Sequence, residues 1–137
     1  MPDRNTDVVQ AACAAFGRGD IQAVLAALNP NVEWQALIGE DPAKVPTAGL
    51  RRGVREVAEF FRNLGETVVF ERFEPREFVS QGDNVVCFGS YKARLSSTGG
   101  EMLSDCVMVF TLRDGLIVRF REWSDAARLV RVAKPPR

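Results

Sequence analysis

The chain has 137 residues, 46% hydrophobic and 26% charged, the balance of one globular domain, which is expected to span residues 1–137 with an ordered core over about 6–132. Lys plus Arg is 18 and Asp plus Glu is 18, so the formal net charge is zero and the basic excess of a nucleic-acid binder is missing. No apolar run approaches the ~20 residues that cross a bilayer, and the start MPDRNTD lacks the apolar stretch of a secretory signal, so neither a membrane partner nor export is expected.

Asp7-Val8-Val9-Gln10 reads as a helix start, with an Asp cap and a Gln three residues on. Val8, Val9, Ala12, Ala15 and Phe16 recur at helical spacing, and Gly17 stops the helix. Asp20 caps a second helix whose apolar positions are Ile21, Val24, Leu25 and Leu28. Asn29-Pro30 ends it, because proline disfavours α geometry in the residue before it. Val32 to Leu37 reads as a strand, and 38–52, with two prolines and two glycines, as a loop. Val54, Val57, Phe60, Phe61 and Leu64 mark a third amphipathic helix.

After Gly65 the period changes to two. Val68–Ser80, Asn84–Ser96, Glu101–Arg113 and Leu116–Ser124 read as strands joined by short polar turns, which makes consecutive antiparallel hairpins. Pro75 interrupts the first of them, where a bulge is expected. Residues 125–132 read as a last short helix before a loose KPPR tail. Three helices followed by a long meander give an α+β domain with helices on one face of a curved sheet.

Histidine is absent. Ser-His-Asp and Cys-His devices, His-based metal sites and a His general base are thereby excluded. No Walker loop or GxGxxG occurs, so no cofactor and no metal are expected. Acid–base work falls to Asp, Glu, Tyr, Lys or Cys. Cys13, Cys87 and Cys106 are odd in number, lie in apolar sequence and form no CxxC, which suits a reduced, cytoplasmic protein.

Alternation assigns the strand faces. In the last strand Val118, Phe120, Glu122 and Ser124 form one set, and Ile117, Arg119, Arg121 and Trp123 the other. Two arginines make the second set a poor core lining, so the first should face inward and carry Glu122 with it. Cys87, Gly89, Tyr91, Ala93 and Leu95 should point inward from their strand, as should Ser104, Cys106, Met108, Phe110 and Leu112 from theirs. The opposite set, with Asp105, Val107, Val109 and Thr111, is also rather apolar, which suits an outer face covered by a partner subunit, joined by Trp123 and Ile117.

The sequences AAFGRGDIQAVLAALNPNVEW, RRGVREVAEFFRNL and VFTLRDGLIVRFREWSD resemble the SnoaL-like and ketosteroid-isomerase-like branch of the nuclear transport factor 2 superfamily. The similarity runs from about Val8 to Leu129. It implies a cone: a curved mixed or antiparallel sheet wrapped around three N-terminal helices, with an interior apolar pocket and an outer face that often makes a homodimer. The fold hosts isomerases, cyclases, hydrolases and non-catalytic binding modules, so it does not fix the function.

The ligand-binding lining is expected from Trp34, Phe16, Phe60 or Phe61, Cys106, Met108 and Phe120, around a small apolar molecule. Glu122 and Tyr91 are the candidate catalytic residues. A carboxylate in apolar surroundings has its charged form disfavoured and can act as general acid or base; a structural Glu that accepts hydrogen bonds is the alternative. Tyr91 can donate to a ligand carbonyl oxygen or to a neighbour. Arg51 and Arg52 are expected at the pocket rim or on the surface, in a solvated role, and Cys106 as a structural thiol. By the resemblance, the positions that carry the base, the oxyanion-hole aspartate and the tyrosine of steroid isomerases fall at Trp34, Met108 and about Ala12. None of these supplies that chemistry, so a steroid-isomerase mechanism is not expected.

Overall fold

In a computed structural model, residues 4–43 and 45–124 are described. The elements are α1 (Arg4–Gly17), α2 (Ile21–Ala26), β1 (Leu28–Ala36), β2 (Gly49–Arg52), α3 (Gly53–Thr67), β3 (Val68–Gln81), β4 (Asn84–Leu95), β5 (Glu101–Arg113) and β6 (Leu116–Ser124). The six strands form one sheet in the order β2-β1-β6-β5-β4-β3. Every neighbouring pair is antiparallel except β1 and β6, which run parallel. The sheet is mixed, curved and unclosed, and α1 and α3 lie against it.

The curvature has local causes. Register slips occur at Phe70/Arg72 and Pro75/Glu77 in the β3–β4 ladder and at Thr111/Leu112 in the β5–β6 ladder. Each extra residue bends its strand and adds right-handed twist. The slip after Pro75 is the bulge that the proline demands, since it has no N–H for the ladder. Along β4 and β5 the alternation is kept: Cys87, Gly89, Tyr91, Ala93 and Leu95, and Ser104, Cys106, Met108, Phe110 and Leu112, are buried as expected.

Several expectations are corrected. α1 begins at Arg4, so Asp7 sits in its first turn, where a carboxylate suits the helix dipole, and is not the cap. α2 ends at Ala26, and Leu28 to Pro30 already belong to β1. Leu28 pairs with Ile117 of β6, and the Ile117 N–H bonds Ala27 O at 2.9 Å, so the strand ladder takes these residues from the helix. Residues 49–52 form β2 instead of loop, pairing Trp34 with Arg51.

Strict alternation places Ile117 on the outer face; it is fully buried instead. The slip against Leu112 leaves Val118 as the extra residue and brings both Ile117 and Phe120 inward. The expected helix at 125–132 lies outside the described residues.

Candidate functional site

The concave side of the sheet and the helices surround an interior cavity of about 120 Å³, several times the ~30 Å³ share of one water. Its wall is aromatic. Trp34 of β1 stacks on Phe120 of β6 at 3.9 Å between centroids, a direct result of their pairing in the parallel ladder. Phe61 meets the Trp34 indole edge-on at 5.4 Å, and Phe60 lies 6.2 Å away. Both come from the buried stripe of α3. Phe16, in the last turn of α1, contacts Phe61, Phe70 and Phe73. Cys106 and Met108 line the cavity from β5, so every residue nominated from the sequence, with Glu122 and Tyr91, faces one space.

Glu122 is the one carboxylate among the described residues that line it. Its Oε1 accepts the Leu37 N–H at 3.1 Å and its Oε2 accepts the Ser124 hydroxyl at 2.7 Å. Burial pushes its carboxyl above the ordinary carboxylate range, and the two hydrogen bonds partly offset this. Tyr91 is 9% exposed. Burial raises its hydroxyl too; its bonds to Ser124 and Ser104 act against the rise, and the nearby Glu122 charge adds to it. Ser124 thus gives its proton to Glu122 and lies beside the Tyr91 hydroxyl.

The remaining polar candidates resolve differently. Cys13, Cys87 and Cys106 are free and buried. Burial and the Glu122 charge push the Cys106 thiol up to about 12, which leaves no thiolate at neutral pH for nucleophilic work. Cys13 shares a hydrogen bond with Cys87, which raises the first thiol and lowers the second. Among the described residues no cluster of Cys, Asp or Glu has the makings of a metal site.

Arg51 is not the solvated residue expected. It is half-buried, 4.7 Å over the Phe60 ring, and donates to the Pro46, Thr47 and Gly49 carbonyls at 3.1, 3.0 and 3.1 Å. It thereby fixes the 46–49 segment that places Thr47 in the cavity wall. Arg52 is exposed, 3.6 Å from Glu33, and Asp105 is exposed on the outer face, as alternation requires.

The cavity also contains Phe70, Phe73, Met102, Leu37, Thr47 and Ile117, which sequence reasoning missed. Phe70 and Phe73 lie three apart and should occupy opposite faces of a regular strand. The slip at Glu71 pairs them with Ala93 and Tyr91 on the inner face. Thr47 sits in an irregular segment with no period to read.

With this geometry in hand, comparison with known proteins places the chain. The SnoaL-like domain family matches residues 9–120. A nuclear transport factor 2-like protein from Burkholderia pseudomallei K96243 is 28% identical, with 96% of this chain and 98% of that one covered at a TM-score of 0.86. One from Burkholderia xenovorans LB400 is 33% identical, with 96% of each chain covered at 0.82. TerC, co-crystallized with polyporic acid, is 29% identical, with 96% of this chain and 100% of that one covered at 0.84. No curated protein matches. The chain belongs to the SnoaL-like domain family, on the nuclear transport factor 2-like fold.

Proposed function

We propose that the protein takes a small, largely aromatic molecule into its interior cavity and acts on it by cofactor-independent acid–base chemistry of the isomerase, cyclase or hydrolase kind. The observation that carries this reading is a single carboxylate, Glu122, held at two oxygens within an otherwise apolar, aromatic wall. A carboxyl raised by burial holds or releases a proton closer to neutral pH than an exposed one, which is what a general acid or base needs. Leu37 and Ser124 fix its orientation. Tyr91, whose hydroxyl faces the same cavity beside Ser124, is the hydrogen-bond donor for a ligand oxygen. The likeness to TerC supports an aromatic ligand. Trp34, Met108 and Ala12 supply none of the steroid-isomerase groups, so that mechanism is not proposed.

A second reading, a non-catalytic binding module, is favoured by one feature: both Glu122 oxygens are already engaged within the protein. In either case we propose a homodimer through the outer sheet face, where Phe88, Val107 and Trp123 stand in one row.

Native mass spectrometry of gently purified protein, alone and with polyporic acid as probe, tests the reading. A discrete bound mass supports the cavity as a ligand site. Conversion of the bound molecule by the native protein and not by Glu122→Gln supports the enzyme; retention of it without conversion by both supports the binding module. Failure of the protein to retain either a copurifying molecule or the probe counts against both.

A further inference from the structure

Thr47 and Ser104 are both buried hydroxyl residues. The Ser104 hydroxyl donates to Asp105 O at 2.8 Å. The Thr47 hydroxyl has no hydrogen-bond partner among the described residues, although the residue is only 8% exposed and lines the cavity. Nor is it sealed within the packing: among the described residues, the orphaned side-chain atoms without accessible surface are Trp34 Nε1 and Arg121 Nε. A hydroxyl at such a place that bonds nothing costs stability. Valine has nearly the same shape and would complete an apolar wall without that cost.

The segment that carries Thr47 is irregular, yet it is fixed on both sides of that residue. Val45 and Ala48 are buried with Leu37 in a small apolar cluster of their own, and the Ala48 N–H bonds Val45 O at 2.9 Å. The Arg51 guanidinium binds the carbonyls of Pro46, Thr47 and Gly49 while it lies over the Phe60 ring. Leu37 in turn gives its amide to Glu122 Oε1. Fixed contacts therefore run from Glu122 through Leu37 to the residues that flank Thr47. The carboxylate and the uncommitted hydroxyl are held in one frame, as a preorganised binding group requires.

We infer that Thr47 is a ligand-binding residue that sets specificity: its hydroxyl donates to an oxygen acceptor, a carbonyl or ether, on an aromatic molecule in the cavity. This rests on the ligand-binding reading of the cavity. The other polar groups of the wall are engaged within the protein. Both Glu122 oxygens accept hydrogen bonds, and the Tyr91 hydroxyl lies beside Ser124 and Ser104. Aromatic rings supply the stacking surface, and one free hydroxyl supplies the orientation, which is the usual division of labour in a small-molecule site. A site built to bond a ligand oxygen rejects the analogue that lacks it, because its own polar group is then left unpaired.

The test is a ¹⁹F NMR titration of the full chain with para-fluoroacetophenone, which offers an acceptor oxygen, and with para-fluorocumene, its apolar counterpart of similar shape. Thr47→Val should weaken binding of the ketone about fivefold or more and leave the hydrocarbon within about twofold. Thr47→Ser keeps the hydroxyl and should keep the ketone affinity. Should the valine variant fail to fold, Thr47→Ala takes its place, read as the change in the ratio of the two affinities. Equal effects of Thr47→Val on both probes overturn the assignment, since Thr47 is then wall alone. Loss of ketone affinity in Tyr91→Phe and not in Thr47→Val overturns it as well, because the oxygen then sits at Tyr91. A native protein that binds the hydrocarbon and not the ketone overturns Thr47 while leaving the cavity reading intact. Binding of neither probe overturns the ligand-binding reading, and Thr47 with it.

Discussion

The Leu37 amide donates to Glu122 Oε1 at 3.1 Å, and the next amide, Ile38, donates to the Glu122 main-chain oxygen at 2.9 Å. One residue of β6 thus holds the end of β1 through both side chain and backbone. Leu37 has φ +48°, a region that non-glycine residues avoid, so these bonds maintain a strained turn. Glu122→Ala removes the acceptor and leaves the Leu37 N–H unpaired. Thermal denaturation should show a loss of about 1–3 kcal/mol. Glu122→Gln keeps an oxygen for that amide and should cost less. If the protein is an enzyme, the same Gln variant should lose about 10²–10⁴-fold in turnover. Full turnover in Glu122→Gln would remove the residue from the mechanism.

The raised carboxyl of Glu122 has a consequence for stability against pH. Burial makes the folded protein bind this proton more tightly than the unfolded chain does. Its contribution is fully present below the unfolded value of ~4.3 and is lost as pH rises through the higher folded value. Native protein should therefore lose stability relative to Glu122→Gln as pH rises from about 4 towards neutrality. Urea denaturation of both proteins across that range measures the difference. A difference that moves in favour of the native protein with rising pH would show that the hydrogen bonds from Leu37 and Ser124 outweigh burial.

Trp34 Nε1 is buried with no hydrogen-bond partner among the described residues, although the indole is packed on several sides by aromatic rings. An unpaired buried donor costs about 1–3 kcal/mol. Trp34→Phe removes that donor, keeps a ring to stack on Phe120, and gives up some packed volume. The two effects oppose and are of similar size, so the unfolding free energy should change by less than about 1 kcal/mol. Trp34→Ala, with the ring gone, should cost about 3–5 kcal/mol. A loss of about 2 kcal/mol or more in Trp34→Phe would mean that the indole N–H has a partner.

Much of this was legible in the sequence because burial follows period. The inner faces of β4 and β5 can be read directly from alternation, and Glu122, Tyr91 and Phe120 come with them. The reading failed where one extra residue shifts the period: Val118 turned Ile117 inward, and Glu71 brought Phe70 and Phe73 to the same side. It failed again at β1 and β2, where pairing with distant strands overrode the local signals of Asn29-Pro30 and of the loop. Arg51 could not be placed because its partners are main-chain carbonyls, which leave no mark in side-chain pattern.

Gly89 stands close against the β3 backbone. A Cβ built there would lie 2.6 Å from Glu74 O and 3.1 Å from Pro75 Cα, both backbone atoms that cannot turn away. Gly89 pairs with Pro75, immediately before the slip that bends β3. The bend brings the strands together, and glycine makes room for it. Gly89→Ala should cost about 2 kcal/mol or more by forcing that bend open. Because the displaced strand carries Phe73, ligand affinity should fall as well. An alanine variant as stable as the native protein would mean that the β3 bend opens freely.

The outer face follows the same register logic. Phe88 pairs with Val107, and Val107 with Trp123, so the three side chains form one row across β4, β5 and β6. Phe88 is 42% exposed and Trp123 37%. Leu103 adds a further exposed apolar group on β5 at 51%. Exposed apolar side chains on one sheet face suit the proposed dimer contact, and a zero net charge presents no long-range repulsion to a second copy. A stable dimer needs about 800 Å² from each partner. Phe88→Lys combined with Trp123→Lys places like charges across from each other in such a contact. Analytical ultracentrifugation should then show a dimer for the native protein and a monomer for the double variant, with the fold retained, since both residues lie outside the core. A native monomer would remove the outer face as an interface, and a double variant that remains dimeric would move the interface elsewhere.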